Sequence, residues 1–259
     1  MMQEQEEIFE HIQKLFDTNP ESFNIIEEEI DIGLQMNYLK RSKKLQKHTL
    51  KLEEVLAKVP LLQDTSVRFE EKRDLLIHLA NFDEVEAFRA IESFWETAEE
   101  EIKPWASMAY RESKMLLESS LLNEKQILIS TGLGGKGYKL RFFIALVHAE
   151  KENFNDTQKK LITNEVEYAV QSSQGEMESV DFENDLAKIT ALIPINASVK
   201  KTIKNAITEC NQYGNFLSEH FLITNIKKLE SFEIYTIINQ RTINQYSEEF
   251  DEFDEEDDE

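Results

Sequence analysis

The most distinctive local feature of the chain is the sequence Gln126-Ile-Leu-Ile-Ser-Thr-Gly-Leu-Gly-Gly-Lys-Gly-Tyr-Lys-Leu-Arg-Phe-Phe-Ile-Ala-Leu-Val147. Its two ends, residues 126–131 and 138–147, are apolar and rich in residues that favour strands. Between them lie four of the chain's seven glycines, within residues 132–137. This arrangement predicts a hairpin, because glycine supplies the positive φ that tight connections between strands require.

Helical patterns dominate upstream of this stretch. Apolar residues at helical spacing predict helices over residues 3–17 and over three segments of 68–120. They also predict helix over 20–58, either as one helix or as two that divide around Lys40 to Lys44. Pro20 and Pro104 each suit the first turn of a helix. Asp83-Glu-Val-Glu86 has the spacing of a capping box at the start of another helix. Together these signals predict an all-helical region over residues 1–122.

Part of this region, residues 79–119, resembles a HEAT-type helical hairpin. The resemblance rests on Leu79-Ala-Asn-Phe-Asp-Glu-Val-Glu-Ala-Phe-Arg-Ala-Ile91 and Pro104-Trp-Ala-Ser-Met-Ala-Tyr110, with a cap, small inward residues and a second helix opened by proline. It implies stacked helical repeats, of which about three are needed to bury a continuous core. Since the sequence offers no second copy, an ordinary helical bundle stays an alternative.

Strands and helices alternate downstream of the glycines. The predicted elements are helices over 155–172 and 197–213, strands over 186–195 and 216–226, and a polar loop over 173–183. Residues 229–239 fit either a strand or a helix. The order strand–helix–strand predicts a mixed sheet in an α/β domain over residues 123–243. The fold class predicted for the whole chain is therefore α+β.

The net charge of −22 is unevenly distributed. Ten of the last twelve residues are Asp or Glu, and their mutual repulsion predicts a disordered acidic tail over 244–259. The tail either serves only solubility or attracts a basic protein partner. One basic segment has no acid, and its cations are Lys40, Arg41, Lys43, Lys44, Lys47 and Lys51. It is either the solvated face of a helix or a contact for RNA, an acidic protein or the tail. Because the whole molecule repels phosphate, nucleic acid and anionic membranes are not expected partners.

The glycines also suggest an anion site, since consecutive backbone N–H groups can cradle a phosphate. The candidate residues are Gly132, Gly134, Gly135, Lys136, Gly137 and Arg141. Gly132-x-Gly134-x-x-Gly137 matches the bare spacing of a dinucleotide loop, but a predicted strand follows where that motif needs a helix. A P-loop is excluded, because glycine follows Lys136 where serine or threonine is required.

No catalytic or metal-binding constellation is present in the sequence. The five histidines are scattered, and a single cysteine, Cys210, rules out an intramolecular disulfide and a cysteine-based zinc site. We therefore predict no catalytic residue, no metal and no cofactor. The acidic start and the lack of a long apolar run predict a cytoplasmic protein without a membrane anchor.

The sequence is compatible with three functions. The charge layout favours a non-enzymatic interaction or regulatory protein that binds a basic partner. The glycine segment 132–137 favours a nucleotide- or phosphate-binding enzyme. The basic segment favours an RNA- or ribosome-associated factor. The sequence leaves the oligomeric state undecided.

Overall fold

The computed structural model of the protein describes residues 14–47 and 50–240. The chain divides into two compact units, Met1–Leu140 (unit 1) and Arg141–Glu259 (unit 2). The predicted acidic tail, 244–259, lies outside the described residues, as does most of the predicted helix 3–17. The division falls after Leu140 rather than after residue 122, because residues beyond 122 pair with strand residues near the start of the chain.

Unit 1 is built mainly from helices. Its elements are β1 (Phe23–Ile25), α1 (Ile32–Leu45), α2 (Leu52–Leu56), α3 (Phe69–Ala80), α4 (Val85–Thr97), α5 (Lys103–Leu122), β2 (Ile127–Ile129) and β3 (Gly135–Lys136). The residues that resemble a HEAT hairpin form the end of α3 together with α4 and α5, which pack on one another. One core joins these helices to α1, with Tyr38, Leu76 and Ile91 fully buried.

The predicted helix 20–58 is wrong at its start, and the region 1–122 is not all-helical. Pro20 opens a short 3-10 turn, and β1 follows it and pairs in parallel with β2. The helical spacing of Phe23, Ile26 and Ile30 has another cause: all three are buried along an extended segment. α1 begins only after Asp31, whose side chain caps it by accepting a hydrogen bond from the N–H of Leu34 (2.9 Å).

The predicted pairing of residues 126–131 with 138–147 is also wrong. β2 pairs with β1 instead, and the hairpin is shorter, running from β3 into β4 (Lys139–Val147). Its connection is the pair Gly137-Tyr138. Gly137 has φ +58° and Tyr138 has no positive φ, which suits a type II′ turn. The predicted capping box at residues 83–86 is absent too, since Glu84 caps α4 without a side-chain hydrogen bond.

Unit 2 contains most of β4 and the elements that follow it. They are α6 (Asp156–Ser172), β5 (Glu176–Glu183), β6 (Leu186–Pro194), α7 (Val199–Asn211) and β7 (Leu222–Thr224), with residues 231–240 also helical. β6 lies between β4 and β5, while β7 pairs antiparallel with β4. Buried aliphatic residues of the sheet pack against α6 and α7.

Both predicted helices and the strand at 186–195 are confirmed in unit 2, and so is the α+β class. The predicted loop 173–183 is wrong from Glu176 onward, because Glu176–Glu183 forms β5. Only Met177, Val180 and Phe182 of that strand pack on the core, so its polar outer face resembles a loop in the sequence. No helix within the described ranges has both the length and the apolar character needed to cross a bilayer.

Candidate functional site

The glycine segment is packed inside unit 1. Gly132 to Gly135 are buried, whereas Lys136 and Gly137 are exposed. Gly134 has φ +68°, and a Cβ there would lie 2.4 Å from the carbonyl oxygen of Glu27. A Cβ on Gly135 would lie 2.2 Å from the carbonyl oxygen of Lys139. These two glycines therefore allow close approach of backbone to backbone, which accounts for them without any ligand.

Two N–H groups of this segment have partners within unit 1. The N–H of Gly134 donates to the carbonyl of Thr131 (3.3 Å), and the N–H of Gly137 donates to the carboxylate of Glu27 (3.2 Å). A carboxylate of the protein thus stands where an anion bound at Gly137 would lie. The geometry gives no support to the anion-binding hypothesis for residues 132–137.

Arg141, the remaining candidate of that set, begins unit 2 and pairs with Glu178 on β5. Its Nε donates to one carboxylate oxygen (2.6 Å) and its Nη2 to the other (2.8 Å). The two side chains are only 19% and 28% exposed. Arg141 and Glu178 thus form a bidentate ion pair within unit 2.

The predicted basic segment forms the end of α1 and the chain beyond it. Lys40, Arg41, Lys43 and Lys44 lie on the helix, Lys47 lies just after it, and Lys51 caps α2. All six side chains are exposed. Lys40, Arg41 and Lys44 line a groove on the surface of unit 1, and the other three cations are not part of its lining.

This groove, hereafter the basic groove, has a volume of about 650 Å³. It is lined by Asp31, Gly33, Leu34, Asn37, Lys40, Arg41, Lys44, Glu70, Arg73 and Trp105. Four cations and two carboxylates thus surround it in a chain whose net charge is −22. The local sequence gives no sign that Arg73 and Trp105 join these cations, because α3 and α5 bring them to α1 from distant positions in the chain.

Some charged side chains of the basic groove are bonded to other residues, and others are not. Arg41 forms two hydrogen bonds of 2.6 Å to the carboxylate of Asp74, and this bonding raises its pKa. The carboxylate of Asp31 is used to cap α1. Lys40 and Lys44 form no ion pair with any residue that the structure describes. These two lysines are therefore the cations most available to a ligand.

Arg73, one of the lining residues of the basic groove, lies against two aromatic rings. Its Cζ is 4.9 Å from the ring centroid of Trp105 and 5.3 Å from that of Phe69. Trp105 is only 5% exposed, and its indole N–H donates to the carbonyl of Arg73 (3.3 Å). The Nε of Arg73 is buried and has no hydrogen-bond partner in the described part of the chain. Arg73 is therefore a cation of the groove lining that has one buried donor left unpaired within the described ranges.

Two groups of polar side chains in unit 2 are paired with one another. The buried His148 accepts from the N–H of Glu150 (3.2 Å) and contacts the side chain of Gln158 (3.2 Å). Tyr235 donates to the carboxylate of Asp185; burial, followed by this hydrogen bond, raises the pKa of Tyr235 to about 12. Within residues 14–47 and 50–240, no cluster of three or more His, Cys, Asp or Glu could hold a metal ion.

The fold and the site together define an α+β protein with a basic groove between helices of its first unit. Comparison of the chain with known protein families gives no match, and comparison with curated proteins gives none either.

Proposed function

We propose that this protein is a non-enzymatic interaction module whose basic groove binds an acidic segment of a partner protein. The observation that carries the proposal is the gathering of Lys40, Lys44 and Arg73 around one groove in a strongly acidic chain. Opposite charge at a binding surface selects partners and speeds their association. The acidic tail, for which a basic partner is predicted, lies outside the described residues. The proposal is therefore based on the basic groove.

A polypeptide suits the basic groove better than RNA does. Asp31 and Glu70 lie among the lining residues and would repel a continuous phosphate backbone, whereas single acidic side chains can avoid them. The one aromatic side chain in the lining, Trp105, is buried and presents no open ring face on which a base could stack. These features favour separate carboxylates on a flexible chain as the ligand.

Binding of a fluorescein-labelled deca-glutamate peptide to the full chain, followed by anisotropy, tests the proposal. We expect binding that weakens as salt is raised, because exposed charges are screened. Reversing the charge of Lys40 and Lys44 (K40E/K44E) should weaken binding by about tenfold or more. An equally long labelled RNA should bind more weakly than the peptide.

The matched control is K200E/K204E. Lys200 and Lys204 are exposed, one helical turn apart on α7, and this variant changes the net charge by the same amount. If both double variants lose binding equally, the peptide responds only to overall charge and the proposal is wrong. Tighter binding of the RNA would contradict a polypeptide partner.

A further inference from the structure

One residue of the basic-groove lining, Arg73, has a buried donor without a partner in the part of the chain that the structure describes. Folded proteins leave few buried N–H groups unpaired, and each exception calls for an explanation. Here the group is the Nε–H of Arg73, which has no partner among the described residues. No ion pair joins Arg73 to Glu70, although both line the same groove in the described part of unit 1. Among the described residues, the guanidinium of Arg73 lies against aromatic rings and forms no ion pair with a carboxylate.

Arg73 is also held in place by its surroundings. Its guanidinium lies over Phe69 and Trp105, and attraction between a cation and an aromatic ring stabilises that position. Trp105 in turn is fixed by its hydrogen bond to the backbone of Arg73 and by edge contact with Tyr38 (5.2 Å between ring centroids). A side chain restrained in this way loses little further freedom when it binds a ligand.

We propose that Arg73 is the anchor of the basic groove and binds one oxyanion of the partner, a carboxylate or a phosphate group on a side chain. This inference rests on the proposed function and names the chemistry of its ligand. The planar guanidinium presents paired N–H donors that match two oxygens of such a group, which a lysine cannot do. Lys40 and Lys44 supply the attraction for neighbouring acidic residues, and their exposed side chains adapt to different partners.

The buried tryptophan provides a direct readout of this subsite. The chain has two tryptophans, so Trp95→Phe leaves Trp105 as the single indole fluorophore. In this background we expect the deca-glutamate peptide to change the emission of Trp105. Arg73→Lys keeps the charge but removes the paired donors, and should weaken binding about tenfold, as expected for the loss of a charge-assisted hydrogen bond. The emission change should be lost with it.

Two further measurements guard against a folding defect and identify the oxyanion. Arg73→Gln is the second variant; each variant is first compared with the parent by circular dichroism and thermal unfolding. Inorganic phosphate, and a peptide in which one glutamate is replaced by phosphoserine, are titrated beside the deca-glutamate peptide. A response to phosphate that depends on Arg73 supports the subsite and shows that it accepts tetrahedral oxyanions. A response to the glutamate peptide alone supports it as a carboxylate site.

The experiments distinguish failure of the proposed function from failure of the proposed role of Arg73. If Arg73→Lys and Arg73→Gln bind like the parent while K40E/K44E loses binding, the anchor is overturned and the proposed function stands. If the parent chain binds neither the glutamate nor the phosphoserine peptide, both are overturned. A third result would also contradict the proposed role of Arg73: the peptide binds, its affinity is the same in the Arg73 variants, and the emission of Trp105 does not change. The ligand would then lie elsewhere in the groove.

Discussion

The backbone carbonyl of Glu27 lies so close to Gly134 that a Cβ on residue 134 would stand 2.4 Å from the carbonyl oxygen. The same residue binds the loop a second time, because its carboxylate accepts the N–H of Gly137. The segment after β1 is therefore fitted against the glycine segment by backbone and side-chain contacts together. This fit explains why residue 134 is a glycine.

Gly134→Ala should destabilise unit 1 strongly. The new methyl group would meet the carbonyl oxygens of Glu27 and Glu28, and alanine would have to adopt φ +68°. Backbone strain and overpacking together should lower the free energy of unfolding by about 3 kcal/mol. Urea unfolding followed by circular dichroism measures the change.

Gly137→Ala is the matched control for that substitution. Gly137 has φ +58°, but a Cβ there would meet no atom within 4 Å. Only the conformational cost remains, so we expect a loss of about 1 kcal/mol. Equal losses for the two variants would show that the contact with Glu27 contributes nothing, contrary to the packing described above.

A second prediction concerns the buried carboxyl of Glu112 on α5. Burial raises its pKa, and hydrogen bonds from Tyr38 and Ser42 of α1 offset part of that effect. The folded protein therefore binds this proton more tightly than the unfolded chain does. The resulting stabilisation is fully present below the unfolded pKa of about 4.3 and is lost as the pH rises through the higher pKa of the folded state.

Glu112→Gln removes this titration. The free energy of unfolding of the variant, relative to the parent, should rise with pH from about 4 until Glu112 is ionised in the folded protein, and then level off. Tyr38→Phe removes a bond that favours the charged form, so in that variant the decline should extend to higher pH. Urea unfolding at a series of pH values measures both effects. Parallel curves for Glu112→Gln and the parent would contradict the prediction.

The elements that could be predicted from the sequence are those that bury one regular face. α3, α5, α6 and α7 have apolar residues at helical spacing, and Asn155 provides a real capping box for α6. β6 is buried on both faces and shows a nearly continuous apolar run. For such elements the local pattern and the tertiary environment favour the same structure.

Elements that depend on distant partners could not be predicted. β1 has only three residues, and its pairing with β2 joins positions about a hundred residues apart, which local spacing does not encode. The same limit applies to the basic groove. Lys40 and Lys44 stand out as part of a charged run, but nothing in the local sequence indicates that Arg73 and Trp105 join them, because packing of three helices brings them together.

A third prediction concerns the ion pair of Arg141 and Glu178. Arg141→Lys keeps the charge but loses the two-oxygen geometry of a pair that is less than one-third exposed. We expect the free energy of unfolding to fall by about 1 kcal/mol. Arg68→Lys is the control, because Arg68 and its partner Glu71 are both mostly exposed. No measurable change in the free energy of unfolding is expected for that variant. Equal effects at the two sites would contradict the prediction.

A fourth prediction concerns Cys210, which lies on the buried face of α7 within the core of unit 2. Burial, together with the nearby charge of Glu165, raises the pKa of its thiol to about 12. Since the thiolate is the reactive form, a thiol reagent such as DTNB should leave Cys210 unmodified at pH 8 in the native protein.

In urea the same cysteine should react at the rate of a free thiol. Adding reagent at increasing urea concentrations should therefore give a labelling curve that follows the unfolding of unit 2. Rapid labelling of the native chain would show that α7 opens locally or that Cys210 is accessible, and would contradict its place in the core.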